Sequence, residues 1–132
     1  MATKKILNPN WPRSSSADFA QGIQVGDTIH VSGQVAQAAD GSLVGDGDME
    51  AQARQVFANI EAVLKLGGGT LHDVVRITTY VTDMSQYSGY AKVRKALFPA
   101  ADIASATVAS PMLVRPGFLI EIEATAVVGS GP

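Results

Sequence analysis

The chain has 132 residues, 46% of them hydrophobic and 17% charged, with a net charge of −2 and no cysteine. That length suits a single globular domain spanning residues 1–132 and leaves no room for a second core of ordinary size. Disulfide frameworks, thiolate nucleophiles and Cys-ligated zinc are excluded, and Lys and Arg are too scattered for phosphate-dominated nucleic-acid binding.

At the N-terminus, Lys4-Lys5 is followed by Asn8, Pro9, Asn10 and Pro12, where a signal peptide needs an apolar run. No apolar stretch reaches the ~20 residues of a membrane span. A cytoplasmic protein with no membrane partner is expected. A short strand is allowed at Lys4–Leu7, and residues 8–17, with two prolines and three serines, read as an irregular lead-in. Ile29 and Val31 alternate with Thr28, His30 and Ser32, which marks a half-buried strand over Asp27–Ser32. Phe19–Val25 is its hairpin partner, turning through Gly26-Asp27.

From Asp48 the period changes. Met49, Ala53, Val56, Phe57, Ile60, Val63 and Leu64 recur at three and four residues, an apolar face over about four and a half helical turns. Asp48 caps this helix and Gly67-Gly68-Gly69 stops it. Val74–Val81 is a strand with Val75, Ile77, Thr79 and Val81 on one face. A second helix runs from about Gln86 to Leu97, capped by Ser85 and closed by Pro99, with Tyr87, Tyr90, Ala91, Val93 and Leu97 inward. Strands Ala104–Ala109 and Phe118–Val127 complete the chain, joined by a loop with Pro111, Arg115, Pro116 and Gly117. The order predicts an α+β fold with both helices on one face of a sheet. The other face then meets solvent or another copy, and the low charged fraction favours a homo-oligomer.

Few motifs carry chemistry by themselves. Asp46, Asp48 and Glu50 have a calcium-like spacing, but Ala51 and Phe57 stand where a calcium loop needs Gly and Glu, so helix capping is the reading. His30 and His72 have no second ligand at metal spacing, and no metal site is expected. Glu121 and Glu123 share one face of an otherwise apolar last strand. Glu121 is either a cross-strand partner of Arg76 or a catalytic carboxylate.

Four segments in order, Asp18-Phe19-Ala20-Gln21-Gly22, Val31-Ser32-Gly33-Gln34, Ala51-Gln52-Ala53-Arg54-Gln55 and Ile120 to Val127, resemble the RidA/YjgF (L-PSP) family over residues ~18–127. The resemblance implies a chorismate-mutase-like fold and a homotrimer with small-molecule clefts between subunits. It also implies hydrolysis of 2-imino or 2-enamino acids to 2-keto acids and ammonia without metal or cofactor, as in 2-iminobutanoate/2-iminopropanoate deaminases. Carried across, the family glutamate falls on Glu121, the cleft floor on Ser32 and Gly33, and the aromatic wall on Phe19. The position two after the substrate-gripping arginine falls on Thr107, and a helix asparagine falls on Ala91. That arginine falls on Ser105, which places the chain nearest to subgroups lacking it. Losing a bidentate pair of charge-assisted hydrogen bonds, ~1.5–3 kcal/mol each, removes roughly two to four decades of affinity for a carboxylate. The expectation is therefore an imine or enamine substrate without a carboxylate, hydrolysed with Glu121 as general base and with Phe19, Ser32, Gly33, Ser105 and Thr107 shaping the cleft. Arg115 is expected at a surface or interface. The alternatives are a ligand-binding or regulatory trimer without catalysis and, against the charge pattern, a ribonuclease or translation inhibitor.

Overall fold

The computed structural model describes residues 3–132. Six strands form one mixed sheet: β1 (Lys5–Leu7), β2 (Gly22–Val25), β3 (Thr28–Val35), β4 (Val74–Val81), β5 (Ala104–Ala109) and β6 (Ile120–Val127). Their spatial order is β1-β2-β3-β6-β4-β5. All neighbours pair antiparallel except β4 and β5, which are parallel and joined through the second helix. The two helices are α1 (Met49–Leu66) and α2 (Tyr87–Leu97).

The apolar period of α1 does what its spacing requires: Met49, Ala53, Val56, Phe57, Ile60, Val63 and Leu64 are all buried. They meet Ile29 and Val31 of β3, Ile77 of β4, and Ile120, Ile122, Ala124 and Ala126 of β6 in one core. The Asp48 carboxylate accepts the Ala51 N–H at 3.1 Å, as an N-cap should. Glu50, in the first turn, is shared by Arg54 at 3.1 Å and Lys92 of α2 at 3.2 Å, which fits the capping reading of this acidic run. Helix α2 packs beside α1 on the same sheet face, with Phe98 at its end edge-on to Phe57 (5.6 Å between centroids).

Two polar side chains share the buried face of α1. Gln52 donates to the carbonyls of Gly45 (3.1 Å) and Gly117 (2.8 Å) and accepts the Leu119 N–H at 2.8 Å. Asn59 donates to the carbonyls of Val35 and Gln37. Both loops that flank the sheet at this end are therefore tied to one helix. A close approach elsewhere depends on Gly22: a Cβ there would lie 2.5 Å from a Val63 methyl, so its absence lets α1 settle onto β2.

Several sequence expectations need correction. Strand β2 begins at Gly22, leaving Phe19 outside it, and β6 begins at Ile120 rather than Phe118. Strand β3 continues past Ser32 to Val35, because the chain inserts an extra residue between Val31 (opposite Ala124) and Gln34 (opposite Ile122). A second irregularity falls at Val75: Val74 pairs with Ala126 and Arg76 with Thr125. The expected face therefore shifts, with Val74 buried and Val75 39% exposed. The lead-in contains one 3-10 turn, Pro12–Ser16, with the Arg13 guanidinium stacked 4.0 Å over Trp11. Ser85 does not cap the second helix. Asp83 accepts from the Ser85 backbone and hydroxyl, starting a 3-10 turn (Met84–Gln86) that feeds α2.

Candidate functional site

On β6, period two sends Ile120, Ile122, Ala124 and Ala126 into the core and Glu121, Glu123 and Thr125 to the face the helices leave bare. Glu121 lies opposite Val35 on β3 and Tyr80 on β4. The carboxylate rests over the bulge in β3. A Cβ on Gly33 would collide with Glu121 Oε2 and lie 2.9 Å from its Cδ, so only glycine leaves room for the side chain there.

Ser32, next in the bulge, holds the preceding segment in place: its hydroxyl donates to the Ala20 carbonyl at 2.6 Å and its N–H to the Gln21 carbonyl at 2.9 Å. Phe19, adjoining Ala20, is 61% exposed. The structure brings Glu121, Ser32 and Gly33 together, with Phe19 on the tethered segment beside them.

Arg76 does not partner Glu121. It sits opposite Thr125, four residues along β4 from Tyr80, which is about 13 Å of strand. Among the described residues no hydrogen-bond donor reaches the Glu121 carboxylate. Partial burial pushes its pKa above the ordinary glutamate range, and the negative charge of Glu123 adds to the shift. Glu123 itself accepts from the Tyr80 hydroxyl at 3.2 Å. Half-desolvated and unpartnered, Glu121 can take a proton from a water or ligand group placed over Gly33.

Ser105 and Thr107 lie elsewhere. They pair with Ile77 and Thr79, whose side chains face the core, so they point to the helix side of the edge strand. There they line a cavity of about 780 Å³ with Tyr87, Ala91, Arg94 and Phe98. Within one chain the sheet separates them from Glu121. The predicted site residues fall into two groups on opposite faces.

Arg94 is the residue that sequence reading passed over. It follows Tyr87, Tyr90 and Ala91 by seven, four and three residues, so helical spacing puts it on their face. Its guanidinium donates to the Tyr87 hydroxyl at 2.8 Å and, at 3.4 Å, to the Tyr90 hydroxyl, which also accepts from Thr79 at 2.8 Å. Arg115 is remote from both groups: it donates to the Gly41 carbonyl at 2.7 Å and stacks on Phe118.

The sequence profile of the family described as Endoribonuclease L-PSP matches residues 11–128. The chain belongs to the RidA/YjgF family. Among the relatives of this family member, a RutC family protein of Pyrococcus abyssi is 32% identical over 126 residues, covering 96% of this chain and 98% of the relative. A mouse protein named 2-iminobutanoate/2-iminopropanoate deaminase is also 32% identical, covering 96% and 93%. A solved structure of a Rid-family protein of unknown function from Yersinia pestis superposes with a TM-score of 0.86 at 32% identity, over 96% of this chain and all of that one. A YjgF/YER057c/UK114 family member from Mycobacterium tuberculosis gives 0.82 at 29%, over 96% and 100%. The RidA/YjgF chain shares with them its mixed sheet and helix pair. No helix among its described residues is long and apolar enough to cross a membrane.

Proposed function

We propose that the protein is a homotrimer that hydrolyses the C–N bond of small imines or enamines in clefts between subunits. The observation that carries this reading is Glu121: a half-desolvated carboxylate with no donor among the described residues, seated on a glycine bulge of the uncovered face. Water attacks the imine carbon while Glu121 takes one of its protons. Return of that proton to nitrogen gives a carbinolamine, and Glu121 then moves its hydroxyl proton to nitrogen as the C–N bond breaks, which releases ammonia and leaves the carbonyl. No cofactor enters these steps.

The division of the site supports an assembly of several chains. Phe19, Ser32, Gly33 and Glu121 supply a floor and a base on one face, while Ser105 and Thr107 line a cavity on the other. One subunit's cavity placed against the next subunit's bare face joins the two. The face also displays Val108 at its edge, 45% exposed, and Phe19 on the tethered segment is 61% exposed; an assembly would cover both. A ribonuclease reading draws no support from this face, where Glu121 and Glu123 stand near the centre.

Imines made in situ by an amino-acid or amine oxidase and trapped with semicarbazide test the reaction. The protein should cut the trapped product, and Glu121→Gln should slow hydrolysis by at least roughly 100-fold while still assembling, since the amide keeps the shape but not the base. A wild-type protein that leaves every trapped imine unchanged would remove the hydrolase reading. Sedimentation as a monomer at micromolar concentration would remove the cleft.

A further inference from the structure

We propose that Arg94 is the carboxylate-binding cation of this protein, acting from helix α2 into the cavity that Ser105 and Thr107 line from strand β5. The ligand is a small 2-imino or 2-oxo acid. Its chemical class rests on the imine-hydrolysis reading, but the cation site stands on the geometry of α2.

Three observations carry the proposal. First, Arg94 and Ser105 line the same cavity, about 780 Å³ across an open mouth, and Lys95 lies on its rim. Its lining includes no acidic residue, so a cationic surface is left with no internal counter-charge. Second, Arg94 has no ion-pair partner: the two salt bridges among the described residues are Arg54–Glu50 and Lys92–Glu50. A guanidinium has five N–H donors and no acceptor capacity. The Tyr87 and Tyr90 hydroxyls engage only part of that fork. Third, the group is held in place before any ligand arrives. Its carbon stands 5.0 Å from the Tyr90 ring centre and 5.6 Å from that of Tyr87, and Tyr90 is fully buried and anchored to Thr79. An arginine fixed in this way loses less freedom on binding an anion than one on an open surface.

Ser105 then takes on a different meaning. A side chain as small as serine on β5 leaves the cavity open to a guanidinium arriving from the helix. Charge lost at the strand is regained at the helix, and the substrate keeps its carboxylate.

Pyruvate and methyl pyruvate, matched except for the charge, are the probes for titration calorimetry on the assembled protein. The wild type should prefer pyruvate. Arg94→Gln should weaken pyruvate roughly 10- to 100-fold and leave methyl pyruvate unchanged. Adding Ser105→Arg to Arg94→Gln should restore part of the lost affinity, because it returns a cation to the same cavity. Equal pyruvate affinity in wild type and Arg94→Gln, or no preference for pyruvate in the wild type, would overturn the proposal. Should Arg94→Gln fail to fold, the Arg94 side-chain N–H resonance of the wild type decides: it should shift with pyruvate and not with the ester, and an unmoved resonance refutes the site. Arg94-dependent pyruvate binding without any imine hydrolysis would support the anion site and remove only the hydrolase reading. Hydrolysis of a 2-imino acid with an unchanged KM in Arg94→Gln would do the reverse.

Discussion

At Gly33 a missing side chain sets the place of a charged one. A methyl group there meets the end of the Glu121 side chain, which can rotate away, rather than backbone, which cannot. Gly33→Ala is thus expected to fold and assemble, with a crowding cost of about 1 kcal/mol as the Glu121 side chain is pushed aside. Imine hydrolysis should fall by at least roughly tenfold, because a displaced base acts on water that is out of line. Loss of folding without a separate loss of activity would contradict this. Glu121 offers a second test through pH. Desolvation, with Glu123 adding to it, raises the carboxyl pKa in the folded state, so its contribution favours folding below the unfolded pKa and is lost as pH rises through the folded one. Glu121→Gln should therefore be more stable than wild type at neutral pH, by roughly 0.5 kcal/mol after solvent screening. The gap should narrow below neutral pH and close below about pH 3, where the carboxyl is protonated in both states. Denaturant curves at the two pH values measure it, and a variant less stable than wild type at neutral pH contradicts it. The position of Glu121 was readable from period two on an apolar strand. Its lack of a partner was not, because that depends on which residue of β4 lies opposite, and the bulge at Val75 sets that register.

Elements with an unbroken period were legible: α1 has one, and the positions that its three-and-four spacing picks out, from Met49 to Leu64, are buried. The two bulges were not, since an extra residue in a strand leaves no mark on composition, and at Val75 it turned a valine outward. Ser85 is a good capping type but does not cap α2; Asp83 caps the 3-10 turn that precedes it, and only geometry separates the two. Gln52 was read only as part of a motif, yet it satisfies three backbone groups in two loops. Gln52→Ala leaves the Gly117 carbonyl and the Leu119 N–H without a partner, while the Gly45 carbonyl keeps the Asp48 N–H, and a loss of about 2–4 kcal/mol is expected by chemical denaturation. Gln52→Glu should also destabilise, as one face of the side chain must donate to carbonyls. A loss well below 1 kcal/mol for Gln52→Ala would mean that water replaces the amide in both loops.

For the molecule as a whole, the α+β order and the bare sheet face followed from the two helices in the sequence, whereas the division of the site did not. Ser105 and Glu121 look like members of one constellation on paper. They are parted by the sheet because β5 pairs in parallel with β4 and turns Ser105 toward the core side. In the proposed trimer each cleft takes its base from one subunit and its cavity from the next. Two defective chains can therefore repair one another. Glu121→Gln lacks the base but keeps the cavity, and Arg94→Gln keeps the base but lacks the cation. When the two are unfolded together in equal amounts and refolded, random assembly gives mixed trimers with one undamaged cleft in three. About a quarter of wild-type turnover on a 2-imino acid should return, from partners that are each nearly silent alone. A chain that carried its whole site within itself would recover nothing by such mixing.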